Sequence, residues 1–527
     1  MHSSFFNIRR ILGFLKLKIF FVLILISSIS FSQEKKKIEI LRAGSLEADE
    51  KIAANAQRLI DTLLIRHNDI LLYCDSAYTY TGTNRVDAFG NVHVNQGDTM
   101  HLYANKVFYN GDISFARAIK NVRLESKTTT LFTDTLDYDL EAKIGYYNTS
   151  GTIVDSTNTL TSTVGKYFVD DNLVHFYTDV EGFNENYTLH SDTLFYNTET
   201  SRMFIVGPTT IRDSANTIYA EDGWYDTKTG EAELKENASV FNDKQLLKAN
   251  YIKYNEEDGN GNAVGSVQIE DFENKIIVKG INAIYNESIE MATVSDSAVL
   301  IMYSEKDTLF MHADTLRSAP DTIEGEKIIT AFYGVRFYRS DFQGVCDSLA
   351  YFTKDSVIQF HYNPVIWSEI HQLSADLIAM KQNSDTPDEL HLTNNSFIIS
   401  NQDSGKFDQI KGKNMIGYIV ENEINNITVD GNGQTLYYAR EEENIIGLNR
   451  SESSKISIQF KEGKIHRIVF FKAPQGQLKP ILELTEKDKK LSDFDWKIKL
   501  RPISKHDIFK REPAESEEEK ELEAIEN

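Results

Sequence analysis

A hexapeptide of fixed pattern returns every 29 residues: small residue, acid or amide, any residue, apolar residue, any residue, tyrosine. Its second position falls at Asn105, Asp134, Thr163, Asp192, Glu221 and Asn250 without slippage. An earlier copy begins at Cys74-Asp75, and looser copies follow with anchors at 281, 314, 347, 376 and 414. About twelve units of this length predict stacked rungs, in which one elongated body uses most of the chain, rather than a globular domain around one active site.

Each unit carries further fixed points. Three residues before the anchor stands an aliphatic side chain, as at Leu102, Leu131, Leu160, Leu189, Ile218 and Leu247. Four residues after it stands tyrosine, as at Tyr109, Tyr138, Tyr167, Tyr196, Tyr225 and Tyr254. A turn and a second strand follow, for example Gly90-Asn91-Val92-His93-Val94 and Lys120-Asn121-Val122-Arg123-Leu124. The local period is two, so each unit reads as short strands, with no helix expected between residues 70 and 400. The aliphatic and tyrosine positions have opposite parity about the anchor. A regular strand would send them to opposite faces, so a bulge or corner at the anchor is expected to turn both sets inward. The anchor acids are read as turn residues rather than a calcium column, because the glycine-rich nonapeptide of calcium-binding β-rolls is absent.

The first 32 residues read as an export signal. Arg9, Arg10, Lys16 and Lys18 precede the apolar run Ile19 to Ile26, and Ser30-Phe31-Ser32 offers a cleavage site before Gln33. The stretch 33–420 is expected to form the repeat body. Residues 421–480 keep strand character without the hexapeptide and read as atypical terminal rungs or a cap. From 481 to 527 the chain turns charged, and it is expected to be a solvated, disordered tail.

The formal charge of −23 argues against nucleic acid as a partner, since phosphates would repel the body. Cys74 and Cys346 both occupy the small first position of the hexapeptide, nine repeats apart. Rungs advancing ~4.8 Å each put them ~43 Å or more apart, beyond disulfide reach, so they read as space-fillers. No phosphate-cradling loop, HExxH, GxSxG or CxxC motif occurs, and the histidines show no metal-ligand spacing. Neither a metal, a cofactor nor a catalytic residue is expected. Paired acids of a β-helical glycoside hydrolase are the weaker reading of the anchor column.

Ala88-Phe89-Gly90-Asn91-Val92-His93-Val94-Asn95-Gln96-Gly97, followed by Leu102-Tyr103-Ala104-Asn105-Lys106-Val107, resembles the OstA-like, LptA-type proteins of lipopolysaccharide transport. Leu309 to Leu316 and Leu373 to Leu377 repeat the second half of that pattern. The resemblance implies an all-β fold, an elongated open β-jelly roll whose apolar interior holds the acyl chains of lipid A. It implies a periplasmic bridge that passes lipopolysaccharide from inner to outer membrane. Its partners would be the inner-membrane export complex and the outer-membrane translocon, met by end-to-end strand pairing. The twelve aliphatic and tyrosine residues named above would line the groove. The alternative from another class is an exported structural or adhesive β-solenoid with a dry core. This chain is longer than a single bridge unit, and most copies lack the full glycine-asparagine motif.

Overall fold

A computed structural model describes residues 37–48, 55–97, 100–255, 257–304, 307–321, 327–383, 386–403, 405–420, 423–441, 444–461 and 464–510. The export signal expected at 1–32 lies outside the described residues. The chain is all-β: the described residues hold antiparallel strands and a few 3-10 turns, and between 70 and 400 the single 3-10 turn is Glu287–Ile289. It divides into two compact units, 1–173 and 174–527.

Unit 1 is a run of neighbour-to-neighbour strands: Ala56–His67, Ile70–Tyr80, Arg85–Gln96, Met100–Asn110, Phe115–Glu125 and Thr130–Asp139. Each pair carries a register shift near its middle. The two residues Gly90 and Asn91 oppose the single Asn105, and Lys120 and Asn121 oppose Asp134. The extra residues have left-handed backbones, with φ of 75° and 43° at Gly90-Asn91 and 67° and 54° at Lys120-Asn121. Glycine and asparagine tolerate that region best, which explains their place in the repeat. The expected corner is therefore present at the anchor, with its left-handed residues on the strand that faces it.

Burial follows this geometry. In Met100–Asn110 the buried residues are Met100, Leu102 and Ala104 before the corner and Val107 and Tyr109 after it. Parity switches at Asn105, and both sets face one interior. Further along, the halves separate into distinct strands. Gly151–Val154 pairs with the first half of Thr130–Asp139, whereas Ile144–Tyr147 pairs with its second half. The anchor side chains clamp the corner: Asn91 donates to Asp75 Oδ2 (2.8 Å) and Asn121 to Asn105 Oδ1 (3.0 Å).

Inside, side chains form cross-strand files. Ile65, Leu72, Val94, Leu102, Leu124, Leu131, Ile153 and Leu160 stand opposite one another in turn. All are at most 3% exposed. The Tyr147 ring is held between two glycines. A Cβ at Gly165 would lie 2.2 Å from its Cζ and hydroxyl, and one at Gly151 would lie 2.6 Å from Cε2 and Cζ. Gly165→Ala is therefore expected to force that ring aside and to cost about 1–3 kcal/mol, read as a lowered unfolding midpoint in thermal or urea melts. A midpoint equal to the parent's would refute the packing argument.

Unit 2 repeats the design. Left-handed pairs recur at Thr178-Asp179, Glu236-Asn237, Gly265-Ser266, Asp296-Ser297 and Asn394-Asn395. The anchor clamp recurs as Asn237 to Glu221 Oε1 (2.9 Å) and Asn395 to Asp376 Oδ1 (3.0 Å). The strands Asp388–Asp403, Lys406–Val420, Glu423–Glu441 and Asn444–Lys461 are longer, and the shorter Lys464–Phe471 and Gln475–Lys479 follow them.

The expectation of a solvated tail from residue 481 is corrected over 481–510. This segment crosses the outer face of unit 2 as a strap, held by three buried glutamines. Gln409 donates to Lys489 O (2.8 Å) and accepts from Leu491 N (2.8 Å); Gln372 does the same with Asp495 O and Lys497 N (both 2.7 Å). Gln343 Oε1 accepts from Arg501 Nε (2.8 Å), and Arg336 donates to Leu500 O (2.8 Å) and Asp507 O (3.2 Å). Leu491 joins Phe397, Ile399, Leu436, Tyr438 and Leu448 in a core, with Phe494 and Trp496 packed beside it. Charge alone suggested solvation, but apolar residues spaced along the charged run, and amides that copy a neighbouring strand, make docking favourable. Gln372→Ala is expected to loosen the strap locally by roughly 1–3 kcal/mol. Amide exchange should then speed up over 489–509, while exchange in unit 1 stays unchanged. Equal protection over 489–509 in variant and parent would refute that role for Gln372.

Candidate functional site

The interior is the surface toward which the repeat directs its apolar residues. In unit 1 all the residues expected to line a groove face it: Leu102, Leu131, Leu160, Tyr109, Tyr138 and Tyr167. They pack against each other, and none is more than 5% exposed. In unit 2 Leu189 and Tyr196 are buried likewise, at 4% and 0%. Ile218, Tyr225, Leu247 and Tyr254 face inward too, but they are only half-buried.

Accessibility rises further along unit 2. Val240, Leu247, Ile269 and Val278 form one cross-strand file, and all four are half-buried. Tyr285, next in the tyrosine file, is 43% exposed. The stretch from Leu247 to Tyr285 thus presents inward apolar surface to solvent, whereas unit 1 does not.

The tyrosines alternate with small residues across the sheet. Tyr109 stands opposite Ala116, Ala116 opposite Tyr138, Tyr138 opposite Gly145, and Gly145 opposite Tyr167. Each ring gains space over the small neighbour, and tyrosine on every strand would overfill the interior. A signal for this was present: seven after the tyrosine stand Ala116, Gly145, Ala232, Gly261 and Ala292, with Val174 and Met203 as the exceptions. Burial raises the phenol pKa of Tyr109 and Tyr138 in this file, and it pushes that of Tyr147, which lies opposite Gly165, up to about 12. The hydroxyl of Tyr138 is buried and has no hydrogen-bond partner among the described residues.

Side-chain hydrogen bonds of unit 1 join its opposite rims, and those from His67, Gln96 and Ser126 to the far rim are long-range in sequence. His67 ends its strand at one rim and Tyr109 lies near the end of its strand at the other; His67 Nδ1 and the Tyr109 hydroxyl are 2.6 Å apart. Gln96 Nε2 donates to Leu140 O at 3.1 Å. The hydroxyls of Ser126 and Tyr167 are hydrogen-bonded at 2.7 Å. These contacts pair residues 41 to 44 positions apart, so no single repeat announces them.

Both thiols are free and buried, and burial pushes each up to about 12, which suits packing rather than reactivity. On the outer face His93 Nε2 lies 3.0 Å from His101 Nδ1, stacked between Tyr73 and Tyr103. Among the described residues no group of three or more His, Cys, Asp or Glu side chains converges as a metal site would. No helix among them is long and apolar enough to cross a membrane. The anchor acids Asp75, Glu221 and Asp376 accept from asparagine at the corners, a structural use.

Residues 35–192, which contain the bulged strands, the sealed files and the rim contacts, match the family described as OstA-like protein. Over these residues the chain is similar to that family. A solved structure similar to it is that of LptH from Pseudomonas aeruginosa, described as the LptA homologous periplasmic component of the conserved lipopolysaccharide transport device. The two share 15% identity over 33% of this chain and 83% of that one, with a TM-score of 0.12. A comparison with curated proteins finds no match. The OstA-like segment includes seven of the twelve expected groove residues in sealed form: Leu102, Tyr109, Leu131, Tyr138, Leu160, Tyr167 and Leu189.

Proposed function

We propose that the protein is a periplasmic component of lipopolysaccharide transport that shelters acyl chains of lipid A in its interior and passes them on without covalent chemistry. The observation that carries this reading is the OstA-like match, over the residues whose corners turn two apolar columns into one interior. Each methylene moved from water into such an interior contributes about 0.8 kcal/mol. Successive repeats present the same aliphatic and tyrosine positions, so a chain can shift from one repeat to the next without a covalent step. Partners at the inner and outer membranes, met through strand ends, belong to the same proposal. So do export to the periplasm and association with the outer membrane.

Mass spectrometry of lipid extracted from the natively purified protein tests it, together with the site of lipopolysaccharide accumulation after depletion. Recovery of lipid A species supports the reading. Protein free of lipid, in cells whose lipopolysaccharide reaches the surface after depletion, would sink it. The second reading, a structural β-solenoid with a dry core, is favoured by one observation: the files of unit 1 are packed shut.

A further inference from the structure

Unit 1 is closed by bonds between side chains, not only by its sheet. His67, Gln96 and Ser126 lie at or just past the strand ends of one rim, and Tyr109, Leu140 and Tyr167 lie at the other. An antiparallel ladder alone leaves those rims unconnected, since ladder bonds join neighbouring strands rather than opposite strand ends. The tyrosines at these sites do two things at once. Their rings cover the small residues of the next strand, and the hydroxyls of Tyr109 and Tyr167 reach the far rim. Phenylalanine would pack the same interior without the second contact.

We propose that the Tyr109–His67 and Tyr167–Ser126 hydrogen bonds are latches, which hold the interior of unit 1 shut and must break before an apolar chain can enter it. The proposal rests on the acyl-carrier reading for its cargo, but the latch has its own readout. Cys74 faces the same interior, 5% exposed, on the strand next to His67. Cys346, 7% exposed, faces the interior of unit 2 and serves as an internal reference. A thiol that reacts only when the rims part reports the opening directly.

The experiment uses the full chain and follows N-ethylmaleimide labelling of both cysteines by mass spectrometry, in the parent, in Tyr109→Phe and in Tyr109→Phe with Tyr167→Phe. Loss of one hydrogen bond in the closed state is expected to speed Cys74 labelling by about tenfold, with the Cys346 rate and the unfolding midpoint unchanged. Added lipopolysaccharide should then slow Cys74 labelling in the variants more than in the parent. A Cys74 rate equal to the parent's overturns the latch. So does acceleration of both thiols together with a lowered midpoint, which would mark general loosening. Faster Cys74 labelling with no protection by lipopolysaccharide overturns the cargo instead, and so separates the failure of the carrier reading from that of the latch.

Discussion

Leu131→Asp is expected to abolish folding of unit 1 rather than merely empty a groove. The side chain is 0% exposed, between Leu124 and Ile153 in the sealed file. A carboxylate there loses its hydration and finds no partner, at a cost of more than about 4–5 kcal/mol, a large share of a domain's stability. Val278→Asp occupies the equivalent place in the half-buried file of unit 2, where water reaches the new carboxylate. It is expected to cost about 1 kcal/mol or less while removing bound lipid. The pair separates architecture from cargo: circular dichroism melts should show loss of structure for the first and a near-parental melt for the second. A folded Leu131→Asp protein would refute the sealed file. Undiminished lipid on a folded Val278→Asp protein would refute the accessible stretch as a binding surface. The sequence alone treats these two positions alike, as the aliphatic residue three before the anchor.

The second large effect lies in the pH dependence of unit 2. Burial lowers His371 from 6.5 to about 4, and its Nδ1 is hydrogen-bonded to Ser400 Oγ at 2.7 Å. Burial raises Asp408 from 3.8 to about 6, partly offset by the hydrogen bond from Tyr438 N at 2.9 Å and by the charge of Arg440. As pH falls from 6.5 towards 4, the unfolded chain takes a proton at His371 that the folded chain refuses, and stability is lost. As pH rises from 3.8 towards 6, the unfolded chain releases a proton at Asp408 that the folded chain keeps, and stability is lost in the other direction. Each group accounts for roughly 3 kcal/mol across its window, and between pH 4 and 6 the two slopes cancel.

Removing one group should expose the other. Asp408→Asn keeps an acceptor for Tyr438 N, is expected to stabilise unit 2 at neutral pH, and should leave a stability that rises with pH by about 1.4 kcal/mol per unit between 4 and 6. His371→Gln should show the opposite slope over the same window. Urea melts of the full chain at pH 4.5, 5.2 and 6.0 read both slopes. Two variants with the same sign of slope would refute the opposed pair.

Much of the fold was legible because its causes are local. A corner at each anchor followed from two apolar positions of opposite parity, and Met100–Asn110 shows that switch at Asn105. The alternation of tyrosine with alanine or glycine was present in most repeats, seven residues on, although it takes the pairing register to give it meaning. The strap was not legible. Its charge suggested solvation, and the three glutamines that hold it are separated from it by 80 to 158 positions.

The sequence by itself determined the period, the strand content, the corner and the set of residues that face inward. Each of these is settled within one repeat by side-chain parity and backbone preference. The tertiary structure alone decided whether that interior is open. Closure rests on contacts between residues more than one repeat apart, His67 with Tyr109 and Ser126 with Tyr167, while Leu247 and Val278 stay accessible. A pattern read within one repeat carries no record of which residues meet across several of them.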